Sequence, residues 1–341
     1  MTAYRALALQ TTCHAVNGCA DRAEARERMT ASIDRIGRQV AGSLAFIGPD
    51  CRLVVLPEYF LTGHPMGEPL EVWADRAALA PDDPEYEALG ALAARHEIWL
   101  AGNAYEVDPE FPDLYFQASF VIGPGGETIL RYRRLNSMFA PTPHDVWDEY
   151  LDRYGLDGVF PVADTEIGRL ACVASEEILF PELVRVLAMR GAEVILHSTS
   201  EAASPDAMAK DIGRRARAIE NLVYVVAANS ARIEGSPVPG DSTTGKSQIV
   251  DFRGHVLVRA DGGETMVANA EIDLDALRRA RRRPGMENLL ARNRFDLYAA
   301  SYAGAKFHEA NGLAGVGVPE RSYFMEAQRR VIERLAGDGT I

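Results

Sequence analysis

Four cysteines in 341 residues are too few to staple a fold. Cys13, Cys19, Cys51 and Cys172 have neither metal-type spacing nor the density of a disulfide framework. A reducing, cytoplasmic setting is the expected home. No apolar run approaches the roughly 20 residues needed to cross a bilayer. The opening stretch, residues 1–10, lacks the longer apolar region and small-residue cleavage site of a secretory signal and reads better as a first strand. Positive charge is in deficit: 36 Lys and Arg face 49 Asp and Glu, a formal net charge of −13. Such a surface disfavours nucleic acid and anionic membranes as partners. No Pro/Ser linker, repeat or low-complexity segment interrupts the chain. No His/Cys/Asp spacing suits a metal, and no cofactor is expected.

What is present is an ordinary globular mixture, 47% hydrophobic and 25% charged. Strand-like runs at 4–12, 53–56, 97–105, 115–122, 127–133, 161–164, 169–174, 193–197 and 223–228 alternate with helical patterns at 21–44, 84–96, 181–190 and 204–220. Leu53-Val-Val-Leu56 is continuously apolar and stops at Pro57, as suits a strand covered on both faces. Residues 247–273 predict two or three more strands, and 274–282 a basic helix. The segment 137–159, rich in Pro, Asp and aromatics, reads as a long loop. This interleaving predicts one α/β domain over residues 1–282. The stretch 283–341 has little core pattern beyond a helix near 319–336. It is expected to pack at the interface of a homodimer or a multiple of one.

Five segments carry candidate chemistry. They are Leu56-Pro57-Glu58-Tyr59, Arg131-Tyr132-Arg133-Arg134-Leu135, the run 168–185 containing Cys172-Val-Ala-Ser175-Glu176-Glu177 and Phe180-Pro181-Glu182, then Arg215-Ala-Arg217 through Asn221, and Gly245-Lys246-Ser247 with Ile249-Val-Asp251. Together, in this order, they resemble the nitrilase superfamily of carbon–nitrogen hydrolases. The resemblance implies an α-β-β-α sandwich in which a glutamate, a lysine and a cysteine converge where loops of two sheets meet. It puts Glu58 in the glutamate position, Arg134 in that of the lysine and Ser175 in that of the cysteine. Tyr59, Glu176, Glu177 and His197 become candidate substrate-binding residues.

The physical reading of these residues agrees in part. An acid directly after an apolar strand, like Glu58, lies at its carboxyl end, where open α/β sheets place ligands. Alone it reads equally well as a solvated strand-end carboxylate. Ser175 ends a strand before a helix, where a side chain is exposed and backbone N–H groups are near. A hydroxyl needs a matched base that a thiol needs less, and a small residue filling a vacated place is an equal reading. Arg134 keeps the charge of a lysine but does not exchange protons. Cys172 lies inside an apolar strand and reads as structural. The family's second glutamate has no clear counterpart among Pro141, Thr142, Asp145 and Glu149. Three acids (Glu58, Glu176, Glu177) with one cation (Arg134) predict an ion pair of Arg134 with Glu58 or Glu176 and a preference for amine-bearing ligands.

Two motifs point elsewhere. Gly240-Asp-Ser-Thr-Thr-Gly245-Lys246-Ser247 spells a phosphate loop, but that loop needs a helix after it and the residues here read as a strand. No Gly-x-Ser-x-Gly elbow exists, and His197 is the one tempting histidine partner for Ser175. Three functions fit: an enzyme acting on a C–N bond of a small amide, nitrile or amine, by hydrolysis or a repurposed step; a non-catalytic binding or structural protein of the same fold; and a cysteine-to-serine engineered form.

Overall fold

The computed structural model describes residues 2–201 and 208–341. Among them the strands form sheets of seven and six plus a two-stranded ladder. The first sheet runs Asn269–Asp273, Ala3–Ala8, Cys51–Val55, Trp99–Asp108, Phe111–Ile122 and Thr128–Arg133, with Ala78–Leu79 added beside Trp99–Asp108. The second runs Ala163–Thr165, Gly168–Ala174, Val194–Thr199, Tyr224–Asn229, Gln248–Val250 and Val256–Arg259. In each, three parallel strands lie in the middle, with one antiparallel strand on one side and two on the other. The two sheets repeat one topology, a repetition the residues themselves do not display.

The layers follow from the alternation of side chains along each strand. Tyr4, Ala6 and Ala8 join Leu53, Val55, Leu170, Cys172 and Leu196 in one core cluster. Leu7, Leu9, Val54 and Leu100 turn the other way, onto Met29, Ile33, Ile36 and Val40 of the helix Arg22–Ile47 and Leu89 and Leu92 of Pro84–His96. On the second sheet, Pro181–Met189 supplies Leu183, Val184 and Leu187, and Met208–Asn221 supplies Ala218. The result is the four-layer α-β-β-α sandwich that the resemblance implies. Continuous apolar runs such as Leu53–Leu56 arise because both strand faces are covered.

Most expected elements lie within a few residues of their observed bounds. Of the helix expected at 204–220, residues 204–207 lie outside the described ones, and the remainder is Met208–Asn221. The loop expected at 137–159 is corrected: it contains the turn Pro143–Val146 and the helix Trp147–Val159, broken at Gly155. Its aromatic residues are not loop decoration. Trp147, Tyr150, Leu151 and Tyr154 recur at helical spacing and pack with Phe111 and Phe116. Residues 283–341 contribute Leu289–Arg292, Asp296–Gly304 and Ser322–Gly337. They are tied to the same chain through Leu313 and Phe324, which are buried, and through Arg321, which donates to the Glu68 and Phe139 carbonyls. No helix among the described residues is long and apolar enough to cross a membrane.

Ile195, fully buried at the centre of the second sheet, tests this packing. Ile195→Ala is expected to cost about 2–5 kcal/mol. The urea midpoint should fall with the slope of the transition unchanged. A shift equivalent to under about 0.5 kcal/mol is the surface-residue result and contradicts this packing.

Candidate active site

The two sheets are stitched together at the carboxyl ends of their central strands. Ser198 Oγ donates to the Leu56 carbonyl at 2.8 Å, and the Glu58 N–H donates to the Thr199 carbonyl at 3.3 Å. The Ser200 N–H closes the seam on Glu58 Oε2 at 3.0 Å. These contacts carry Glu58 out of solvent altogether. Its Oε1 accepts from Gln117 Nε2 at 2.7 Å and faces Arg134 Nη1 at 3.5 Å. A strand-end carboxylate in water is thereby excluded.

Arg134 follows the strand Thr128–Arg133 and is almost fully buried. Its Nε donates to the Asn136 carbonyl at 2.7 Å, Nη1 to Gln117 Oε1, and Nη2 pairs with Glu176. The expected ion pair is present, with Arg134 bridging Glu58 and Glu176. Burial acts to lower its pKa, but Tyr59, Glu176 and Glu58 outweigh it and hold it above the ordinary arginine range. Tyr59 stacks on Tyr105 with ring centroids 5.6 Å apart, and its hydroxyl acidity is suppressed first by burial and then by Glu58.

Ser175 terminates the strand Gly168–Ala174 with φ 50°, in the left-handed region. For a residue with a side chain this costs roughly 1–2 kcal/mol, so the surroundings must impose it. They do so from two sides, first through one helix. Lys210, Arg214 and Arg217 lie on one face of Met208–Asn221, spaced by four and three residues. Lys210 Nζ is 3.4 Å from Ser175 Oγ and 3.1 Å from Thr199 Oγ1. Arg214 Nε donates to His197 Nδ1 at 3.2 Å, and His197 Nε2 meets the Ser175 carbonyl at 2.8 Å. Arg217 donates to the carbonyls of Ile178 and Leu179 at 3.1 and 3.3 Å. Gly213 permits this approach, since a Cβ there would stand 3.1 Å from the Ile178 carbonyl oxygen.

His197 is thus a prop beneath the serine backbone, and both ring nitrogens are engaged. A guanidinium only donates, so Nδ1 must accept and Nε2 must carry the proton. Burial, then Arg214 and Lys210, hold its pKa well below the ordinary value and keep the ring neutral.

Glu177 does not face a ligand space. Tyr132 Oη donates to its Oε2 at 2.7 Å, the Leu135 and Asn136 N–H groups to Oε1 at 2.8 and 3.0 Å, and the Ala174 N–H to Oε2 at 3.2 Å. Burial raises its pKa, against the pull of Arg134 and these donors. The side chain locks the Arg134 segment to the Ser175 turn. Glu176 keeps its side chain 32% exposed, so it stands at the solvent side of the site.

The expected surplus of negative charge is reduced: Glu177 is turned inward, Arg134 bridges Glu58 and Glu176, and the Lys210 amine adds a further basic group. The lysine was missed because no motif flags it. Composition contains a usable signal: only three lysines, Lys210, Lys246 and Lys306, occur among the 36 basic residues. Asp145 accepts from Thr142 N and Oγ1, both at 2.8 Å, and serves as a local cap. The phosphate-loop spelling forms a short turn, Gly240–Ser242, and then the strand Gln248–Val250, with no helix after it. Its Ser247 N–H is held by Gln10 Oε1 at 2.8 Å. Burial pushes the Cys172 thiol up, as suits a structural residue.

Replacing Glu177 by Gln preserves shape but sets an NH2 group against N–H donors. The expected loss is about 1–3 kcal/mol, read as a lowered denaturation midpoint. Unchanged stability would show that Glu177 does not lock the two segments.

The Carbon-nitrogen hydrolase family profile matches residues 9–282. A nitrilase and fragile histidine triad fusion protein, NitFhit, of Caenorhabditis elegans is 30% identical over 77% of this chain and 58% of its own length, so the chain spans little more than half of that relative. A formamidase of Pseudomonas syringae pv. tomato is 28% identical over 82% of this chain and 77% of that one. The crystal structure of a carbon–nitrogen hydrolase from Helicobacter pylori superposes with a TM-score of 0.68 at 21% identity, covering 88% of this chain and 98% of that chain. With the profile running through both sheets and every segment that meets at Ser175, this chain belongs to the carbon–nitrogen hydrolase family.

Proposed function

We propose that the chain cleaves the C–N bond of a small, uncharged amide through an ester formed on Ser175, with Glu58 and Arg134 at the reacting centre in place of the family's cysteine–lysine chemistry. The observation that carries this reading is the strained turn at Ser175. Such a turn presents a nucleophile, and here it sets the Ser175 hydroxyl 3.4 Å from an amine, Lys210 Nζ. Arg134 bridges Glu58 and Glu176, so neither carboxylate is left unpaired for an amine cation, which favours a neutral substrate. The name of one relative, formamidase, points to small amides. Tyr59 and Glu176 are the residues proposed to meet the substrate.

A panel of small primary amides and nitriles, assayed by ammonia release, tests this. Amides should turn over, and Ser175→Ala should lower the rate at least about 10²-fold. Nitriles should not, since their route begins with a thiolate that the site lacks. Tight binding of amides with no Ser175-dependent release would instead identify a non-catalytic binding protein.

Association into a two-fold homodimer or a multiple of it is part of the same proposal, with residues 283–341 at the interface. Leu179, Phe180, Met189, Ile212 and Ile219 on the helices beside the Ser175 turn are exposed. The helix Asp296–Gly304 adjoins them, Tyr302 Oη donating to Glu182 at 2.9 Å, and leaves Leu297 and Tyr298 exposed too. Apolar groups gathered in this way mark interaction surfaces. Sedimentation at micromolar concentration should show dimers or larger; monomer alone refutes this.

A further inference from the structure

We propose that Lys210 is the proton acceptor for Ser175, forming a serine–lysine pair across the strand Gly168–Ala174 and the helix Met208–Asn221. This rests on the reading of Ser175 as the nucleophile. The amine has the reach, with Nζ 3.4 Å from Ser175 Oγ. Thr199 Oγ1, at 3.1 Å, accepts one of its N–H bonds and leaves the lone pair of a neutral amine for the serine hydroxyl. Every other candidate base is committed, Glu176 through its pair with Arg134. Glu58 already accepts from Gln117 and Ser200 and faces Arg134. His197 has both nitrogens engaged. Arginine does not exchange protons at all. The composition agrees: a chain that uses arginine for nearly every cation places one of its three lysines here, beside the serine.

The groups around the amine set its protonation. Glu58 faces it from the first sheet, Glu176 from the Ser175 turn, Glu201 from beyond Val194–Thr199, and Arg214 from the next turn of its own helix. Glu201 is paired to Arg214, and His197 is neutral. Burial is the largest influence and lowers the Lys210 pKa; Arg214 acts with it, while Glu58, Glu201 and Glu176 offset part. The amine is therefore free of its proton at lower pH than an ordinary lysine.

The step balances without any further reagent. Ser175 Oγ attacks the amide carbon as its proton passes to Lys210 Nζ, and the carbonyl π pair moves onto oxygen. Return of that pair breaks the C–N bond, and the Lys210 ammonium protonates the departing nitrogen. Water then adds to the ester, its proton passing by way of Lys210 to Ser175 Oγ as the C–O bond breaks. Acid and amine leave, and the serine and the free amine are restored.

An alkyl fluorophosphonate tests this on the whole chain without knowledge of the substrate. Oγ displaces fluoride from phosphorus only if its proton is taken, and mass spectrometry of peptides locates the adduct. Ser175 should be labelled, with a rate that rises with pH through one deprotonation below the ordinary lysine value. K210M and K210R should each slow labelling at least about 10²-fold, with melting temperature checked alongside. K210R separates roles, since it keeps a long basic side chain and removes the acceptor. Labelling by K210R or K210M within about threefold of the parent (0.65 kcal/mol by the tenfold-per-1.36 relation) overturns the role of Lys210 and leaves Ser175 as the nucleophile. A flat profile of the parent protein between about pH 6 and 10 overturns it too, even if a variant fails to fold. No label on Ser175 in the parent overturns both readings.

Discussion

The turn at Ser175 exists in its left-handed form because a single helix face and one buried carboxylate hold it from two sides. Lys210, Arg214 and Arg217 approach from Met208–Asn221, each contributing to a different part of the turn: side chain, carbonyl through His197, and the carbonyls that follow. Glu177 grips the N–H of Ala174 on one side and those of Leu135 and Asn136 on the other. A strained residue persists only when its surroundings over-determine it. Here they do, and the same contacts bring the Arg134 segment, the serine and the lysine into one place.

The second constraint is the seam between the sheets. Polar backbone at strand ends would be costly to bury unpaired, and the Leu56–Glu58 and Ser198–Ser200 segments satisfy each other. The seam removes Glu58 from water and obliges its carboxylate to find donors. Gln117 meets it, and Arg134 meets both of them. The guanidinium is consequently a fixture. A planar fork with a carbonyl, an amide oxygen and two carboxylates around it has little freedom to reach toward a ligand.

Charge at the site is better understood from this geometry than from a count of acids and bases. Three acids lie close in sequence or motif, but one faces inward and is consumed by the framework. The further basic group comes from a helix whose family-like segment, residues 215–221, begins five residues later. In the proposed reading, Arg134 and Ser175 stand where the family uses a proton-exchanging amine and a thiol, and neither supplies that chemistry. An amine supplied from a different segment, beside a hydroxyl, is a chemically consistent replacement for both.

Short-range pattern determined much of this molecule. Apolar runs ending at Pro57 and at Ser175, alternation of strand and helix, and five ordered segments sufficed for the layers, the family and the placing of Glu58, Arg134 and Ser175 just beyond strand ends. These features depend on residues adjacent along the chain, or on periods of two and 3.6 residues. Trp147–Val159 was obscured because its aromatic face is defined by Phe111 and Phe116, partners distant in sequence. Glu176 and Glu177 are neighbours, yet one reaches solvent and the other four buried donors; which does which is set by the turn between them. The tautomer of His197 follows from Arg214, and the reach of Lys210 from how closely Gly213 lets its helix approach. Such roles depend on the separation and direction of side chains from different elements, and only packing the elements together assigns them.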